Sequence, residues 1–500
     1  MRSKNYVNNL IAGLIEQAVT IGAGIFLPYI ILTVYGSEIN GLLSSIKQIV
    51  QYLSLVDTGL AGAVIYALYK PIAAGDNYAI SRVVSASRIF YNQVGSVCIL
   101  FLLIIALVYP FIIKINPVGS VGTFCLTVTV GCTNIVDFFL LAKYNALCMA
   151  AQKYYYVTIS RCVGTLVYMI VLIVSVISGM SIVLAMVLTL VNLPLRYILI
   201  RLIVKYNFPH ISFTANPDYS AIDKRNSVFL QNISSFIATS SPIVILTMFG
   251  SLTDVSIYTV YNIIFFYITS FVGIFTNSLT AGFGDVIAKG EYQILQSTFK
   301  QYLTAFYALL IWVFSCALLL GNSFIRLYTK DVTDANYVKP VFLVMIAISN
   351  LLMGIKMPGW NMIYAAGHYK QTNKLEFSAS ITTVIISLIM VKILGIYGVV
   401  IGTTCGNLIY AITGHRYTIK NIVNISMKDT VVLIIRIPLI GLLVSLPFLF
   451  IKISINNFLE WFIQAIFISL WAAIIVFTVT YVFDKDGIKA LYSRIKQIKG

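Results

Sequence analysis

Apolar stretches of about 20 residues, the length a helix needs to cross a bilayer, recur along this chain from residue 10 to residue 483. In hydrocarbon every backbone N–H and C=O must be satisfied internally, which a helix does. Fourteen such helices are expected, over 10–34, 41–68, 89–113, 121–142, 157–178, 181–200, 228–250, 256–283, 302–325, 338–366, 375–394, 396–414, 430–451 and 459–483. The longest polar connection, residues 201 to 225, is only about 25 residues long and has no room for a soluble domain. With 59% hydrophobic and 10% charged residues, an ordinary soluble domain and a disordered chain are both excluded. The first apolar stretch follows Met1-Arg2-Ser3-Lys4 without a small-x-small cleavage site and reads as a retained span.

The chain also repeats itself. Pro28-Tyr29-Ile30-Ile31-Leu32-Thr33-Val34-Tyr35-Gly36-Ser37 returns 214 positions later as Pro242-Ile243-Val244-Ile245-Leu246-Thr247-Met248-Phe249-Gly250-Ser251. Two echoes share that register to within one residue: Ala74-Gly75-Asp76 with Lys289-Gly290-Glu291, and Ala150-Ala151-Gln152-Lys153-Tyr154 with Ala365-Ala366-Gly367-His368-Tyr369. The offset maps helix 1 onto 7, 2 onto 8 and 4 onto 10, so each repeat has six helices. An even number returns the chain to its starting side, so the halves are parallel, an architecture of transporters with a central site. The expected fold is an all-α polytopic membrane protein. Residues 1–215 and 216–428 form two six-helix lobes, and 429–500 adds two transmembrane helices and a basic tail.

Net charge is +17, which in a soluble protein suggests nucleic acid. Here 25 of the 34 basic residues fall in segments on one side, taken as cytoplasmic, and six on the other. That bias is the positive-inside signal. It puts both termini in the cytoplasm and turns most of the charge toward an anionic leaflet, so no nucleic-acid partner is expected. Lys47, Lys356 and Arg436 remain, within spans. The seven cysteines all fall inside expected spans without a Cys-x-x-Cys pair and read as small apolar fillers.

A charge at the bilayer centre costs at least about 2.5–3.5 kcal/mol on insertion scales, so it is expected to face protein or water. On helix 2, Asn40, Ser44, Lys47, Gln51, Ser54 and Thr58 fall within an arc of about 80° at helical periodicity. Such a stripe borders a hydrated cavity or glues neighbouring helices by hydrogen bonds; six polar positions including a lysine favour the cavity. Helix 1 carries Asn9, Glu16 and Thr20 on one face, and helix 4 aligns Thr129, Thr133, Asp137 and Tyr144. Asp57 either caps a local kink or pairs with a cation. Lys356 precedes Met357-Pro358-Gly359-Trp360, where proline frees a carbonyl; it contacts an anion or snorkels to the inner surface. Arg436, near a span end, reads as snorkelling. Pro28 and Pro242 are hinges or static kinks.

No Gly-x-x-x-x-Gly-Lys-Ser/Thr loop occurs, so no ATP hydrolysis through such a site is expected. His210, His368 and His415 lie in or near expected cytoplasmic loops without ligand spacing, and neither metal nor cofactor is expected. The outside loops are short, which disfavours an enzyme such as a membrane glycan polymerase or glycosyltransferase.

Three stretches carry a family resemblance: Leu32 to Gly36, Asn40-Gly41-Leu42, and Leu53-Ser54-Leu55-Val56-Asp57-Thr58-Gly59-Leu60, with its Leu-x-Asp-x-Gly-Leu pattern. Gly395-Ile396-Tyr397-Gly398-Val399-Val400-Ile401-Gly402-Thr403 adds a fourth. The chain resembles the polysaccharide (O-antigen or capsule) repeat-unit flippases, Wzx type, of the multidrug/oligosaccharidyl-lipid/polysaccharide (MOP) exporter superfamily. The resemblance implies a multi-pass bacterial plasma-membrane protein that flips undecaprenyl-diphosphate-linked oligosaccharide to the outer leaflet by alternating access, for surface polysaccharide synthesis. Its partners would be that glycan and membrane lipids, with a polysaccharide polymerase and chain-length regulator as further candidates. Lys47, Gln51, Ser54, Thr58 and Lys356 are the expected substrate contacts. Glu16, Asp57 and Asp137 are the expected cavity or ion-coupling acids, and they keep a cation-exporter reading of the same superfamily open.

Overall fold

The computed structural model describes residues 2–53, 60–113, 116–218, 226–450 and 455–485. The described residues contain no strand. The first half runs through α1 (Arg2–Tyr35), α2 (Ser37–Val50), α3 (Leu60–Ala74), α4 (Asn77–Ile112), α5 (Gly119–Val136), α6 (Ala142–Ala150), α7 (Tyr155–Ile177), α8 (Ile182–Leu188) and α9 (Asn192–Asn207). The second runs through α10 (Asn226–Phe249), α11 (Leu252–Ala288), α12 (Tyr292–Tyr328), α13 (Pro340–Ala365), α14 (Tyr369–Leu394) and α15 (Ile396–Thr418). It closes with α16 (Met427–Phe450) and α17 (Phe458–Phe483). A π-helical turn, Asp137–Leu141, joins α5 to α6, a second, Ile419–Val423, follows α15, and a 3₁₀ turn, Thr189–Val191, joins α8 to α9.

Among the described residues, twelve helical spans are long and apolar enough to cross a membrane. They correspond to twelve of the fourteen expected helices. Of the other two, the seventh is α10, with Ile233–Phe249 as its apolar part, and the second falls on α2 and α3, with Val64–Ala74 as its apolar part. The second expected span is not described as one continuous helix: α2 ends at Val50 and passes into a 3₁₀ turn at residues 51–53, and α3 begins at Leu60.

Contacts divide the chain into two compact units, one of Met1–Phe236 with Leu246–Ser256, the other of Ile237–Ile245 with Ile257–Gly500. In the first unit α1 packs along α7, α4 along α5, and α7 against α9. Asn40 of α2 is buried and donates to Ser256 Oγ at 2.7 Å, and Ser45 bonds the Tyr109 hydroxyl of α4. In the second unit α15 packs on α13 and α14, while α12 carries α16 and α17. Trp312 Nε1 donates to the Ser469 carbonyl at 2.9 Å and Trp461 Nε1 to that of Leu320 at 3.3 Å, fastening α17 to α12.

The sequence echoes fall on matching helix ends. Gly36 N–H bonds the Leu32 carbonyl and Gly250 N–H that of Leu246. After α3, Gly75 takes φ +68 and Asp76 N–H reaches the Pro71 carbonyl; after α11, Gly290 takes φ +71 and Glu291 N–H reaches that of Val286. The third pair has the same form, with Lys153 N–H on Cys148 and His368 N–H on Ile363. The second and third pairs are left-handed helix caps with a six-to-one bond, whereas the first pair shares only a five-to-one bond. What recurs is the residue such a turn requires. Within the third pair the residues differ, with Gln152 at φ +59 where its counterpart is Gly367 at φ +70. A left-handed L residue costs about 1–2 kcal/mol, and glycine gives back about 0.5–1 kcal/mol of chain entropy. Gln152→Gly should therefore raise stability by about 0.5–1 kcal/mol, and Gly367→Gln should lower it similarly. Thermal melting in detergent checks both; a Gln152→Gly protein that melts below its parent contradicts the strain.

Glycine also sets how closely α14 and α15 approach. Gly398, Gly402 and Gly406 recur every fourth residue of α15, and a Cβ on them would fall on the Met390 carbonyl, on Ser387 and on Thr383 of α14. Small residues at this spacing let helix backbones meet in a membrane.

Candidate functional site

Four helical segments of the first unit converge on a polar pocket of about 260 Å³. Glu16 comes from α1, Asp137 from the π-helical turn after α5, Arg161 from α7 and Arg196 from α9. Arg196 Nη2 donates to Asp137 Oδ1 at 3.0 Å, and Arg161 Nη1 lies 3.6 Å from Glu16 Oε1. The Arg196 side chain is only 14% exposed and that of Asp137 45%, so the acid opens into the pocket while the arginine is held behind it. Gly164 makes this possible: a Cβ there would occupy the space of the Arg196 stem. Arg196 Nε is buried with no hydrogen-bond partner among the described residues. The Arg161 guanidinium also lies over the Tyr154 ring, 5.6 Å from its centroid.

Two of the expected acids, Glu16 and Asp137, thus share one pocket with two arginines. Of their neighbours on the same helix faces, Thr133 lines the pocket, but Asn9 does other work. It clamps the turn before α7, donating to the Gln152 carbonyl at 3.0 Å and accepting from Tyr155 N–H at 2.7 Å. Tyr144 is not on the Asp137 face. The π-helical turn inserts a residue, as the Ala142 N–H bond back to the Asp137 carbonyl shows. Tyr144 instead packs edge-on to Phe213, with centroids 5.0 Å apart.

On α2 the polar stripe divides. Asn40 is buried and bonded, Ser44 is half-buried, and Lys47 and Gln51 are exposed, while Leu42, Leu43, Ile46 and Val50 form the buried face. Lys47 makes no ion pair among the described residues. Ser54, Asp57 and Thr58 lie outside the described residues.

Lys356 belongs to a different environment, in the second unit. Its Nζ sits 4.1 Å from the centroid of the Tyr410 ring on α15, so it turns toward a neighbouring helix rather than snorkelling. Buried Glu376 of α14 supplies its nearby negative charge and accepts from the Tyr364 hydroxyl at 3.3 Å. Carbonyls around Pro358 are satisfied by neighbours: His415 Nε2 lies 2.7 Å from the Ile355 carbonyl, and Thr418 Oγ1 donates to that of Gly359 at 2.7 Å. His415 is accordingly a buried residue within α15, not a loop histidine.

Arg161 and Arg196 were the functional candidates hidden from sequence reasoning, because both count toward the inside charge that orients the chain. Both nevertheless lie within the expected helices 157–178 and 181–200, and within the spans Tyr155–Ile177 and Ile182–Asn207 of the structure. A signal was present: Arg161, Gly164, Thr165 and Tyr168 share a helical face, as do Asn192 and Arg196, and all six line the pocket.

No family model matches the sequence, and no curated protein matches it. Solved structures do match. The chain is similar to the lipid II flippase MurJ in an inward closed conformation, with a TM-score of 0.70 at 13% identity over 96% of this chain and 99% of that one. It is similar to a multidrug resistance MATE family transporter of the MOP superfamily in an inward-facing conformation, with a TM-score of 0.64 at 15% identity over 80% and 93%. A MOP superfamily transporter from Pyrococcus furiosus Vc1 matches with a TM-score of 0.53 at 14% identity over 83% and 95%. The fold is that of the MOP transporters. At such identities the fold is what is shared. The MurJ match leaves out 4% of this chain, about 20 residues, fewer than the 24 of α16 alone. The match therefore extends into the last two helices of this chain.

Proposed function

We propose that this chain is a flippase that moves undecaprenyl-diphosphate-linked oligosaccharide repeat units from the inner to the outer leaflet of a bacterial plasma membrane, for surface polysaccharide synthesis. The observation that carries the reading is the near full-length likeness to a lipid II flippase, 96% of this chain against 99% of that one. The chemistry agrees with it. A glycan diphosphate cannot cross hydrocarbon unaided, whereas its lipid tail stays in the bilayer, so the protein need only offer a wet groove with cations. Lys47 of α2 is exposed and makes no ion pair among the described residues, so it can meet the diphosphate, and exposed Gln51 adds an amide for the sugars. Polysaccharide polymerase and chain-length regulator belong to this proposal as partners that act on the delivered glycan. Depleting the protein should make lipid-linked repeat units accumulate and surface glycan disappear. Unchanged surface glycan with altered drug resistance would overturn the reading in favour of a cation exporter, which the shared pocket of Glu16 and Asp137 favours.

Turnover in this proposal draws on an ion gradient or the membrane potential, a unit charge being worth about 2.3 kcal/mol per 100 mV. Glu16 is the coupling acid. Its carboxylate lies 3.6 Å from the Arg161 guanidinium, so a cation taken up there competes with that arginine. Glu16→Gln is expected to transport with its dependence on pH lost. Transport by reconstituted Glu16→Gln that keeps the parent's pH and ion dependence would remove Glu16 from the coupling role.

A further inference from the structure

We propose that a cavity between α12, α16 and α17 is a binding site for the headgroup of an anionic phospholipid of the inner leaflet. The cavity, about 530 Å³, opens where α12 and α16 begin and α17 ends, the end that the charge distribution reads as cytoplasmic. Both of its acids are already engaged. Asp429 takes Lys300 Nζ at 2.7 Å, and Asp484 accepts from Thr304 Oγ1 at 2.7 Å. Lys300, Lys428 and Arg436 outnumber these two acids by one, so the lining is net positive, and neither Arg436 nor Lys428 makes an ion pair among the described residues. Arg436 is held in place by Phe483, its guanidinium 4.7 Å from the ring centroid. The Gln301 Oε1 atom is buried without a partner among the described residues and can accept from a headgroup hydroxyl.

The walls decide between a lipid and a soluble anion. Val432 and Phe483 line the cavity while being 46% and 60% exposed, and Leu439, two turns beyond Val432 on the same face of α16, continues the exposed apolar surface. A free phosphate would leave this surface without an occupant; an acyl chain runs along it while its phosphate meets Arg436 and Lys428. The basic residues near a membrane surface attract anionic lipid, and here the cavity gives that attraction a fixed address.

The test uses the purified full-length protein in detergent, offered phosphatidylglycerol, phosphatidylcholine with the same acyl chains, and inorganic phosphate, with adducts read by native mass spectrometry. Phosphatidylglycerol should be retained over phosphatidylcholine and should not be displaced by millimolar phosphate. Lys428→Gln, at an exposed position, should weaken phosphatidylglycerol binding by roughly fivefold, and Lys428→Gln/Arg436→Gln by roughly thirtyfold, with phosphatidylcholine binding unchanged. Equal retention of the two lipids by the parent overturns the site, as does full retention by the double variant. Should that variant melt well below the parent, full retention by Lys428→Gln alone overturns it. Displacement by phosphate overturns the lipid assignment. None of these readouts depends on transport, so the proposal stands or falls separately from the flippase reading.

Discussion

Lys47→Ala is expected to reduce glycan export by roughly ten- to a hundredfold without loss of folded protein. The size follows from a hydrogen-bonded contact with a charged group, worth about 1.5–3 kcal/mol, between an ammonium and the diphosphate of the proposed substrate. The geometry supports that role. Lys47 and Gln51 are exposed one turn apart, while Ile46 and Val50 beside them are buried in the core. Unlike Arg161 and Arg196, which are committed to Glu16 and Asp137, Lys47 makes no ion pair among the described residues. Cysteines placed at 47 and 51 should react with a membrane-impermeant thiol reagent, and cysteines at 46 and 50 should not. Protection of all four positions, or normal export by Lys47→Ala, would remove Lys47 from the substrate path.

Gly402→Val is expected to leave little folded protein in the membrane. A Cβ at Gly402 falls on the Oγ, N and Cα atoms of Ser387, so the collision is partly with backbone and no rotamer change removes it. Ordinary overpacking of a core costs about 1–3 kcal/mol. Forcing two helix backbones apart along a seam that Gly398 and Gly406 also close costs more, against a total stability of about 5–15 kcal/mol for a typical domain. The control is Gly273→Ala on α11, where a Cβ meets nothing within 4 Å and no loss is expected. If Gly402→Val accumulates and melts like its parent, the glycine seam does not hold α14 to α15.

The helical fold was legible because hydrocarbon leaves a chain few options: a stretch of about 20 apolar residues must satisfy its own backbone, and a helix does so locally. Helix ends were legible for a related reason. A left-handed cap asks for glycine whatever the surroundings, so Gly75 and Gly290 recur at the same turn. The polar stripe expected on helix 2 divides in the structure, with Asn40 buried against Ser256 and Lys47 and Gln51 exposed, and at Gln51 the α-helix gives way to a tighter turn where a constant 100° step no longer applies. Tyr144 was misplaced on the Asp137 face for the same kind of reason, since one residue added in a π-helical turn rotates everything after it.

Hydropathy and spacing by themselves determined the class of the protein and the great majority of its spans, because each of these depends on residues within a few turns of one another. Only the tertiary structure decided which faces meet. It paired Glu16 with Arg161 across 145 positions and Asp137 with Arg196 across 59, and it set Glu376 and Tyr410 around Lys356. It also buried His415 against the Ile355 carbonyl. A charge in a span announces that it needs a partner, but the partner is chosen by helix packing, and no periodicity within one helix carries that information.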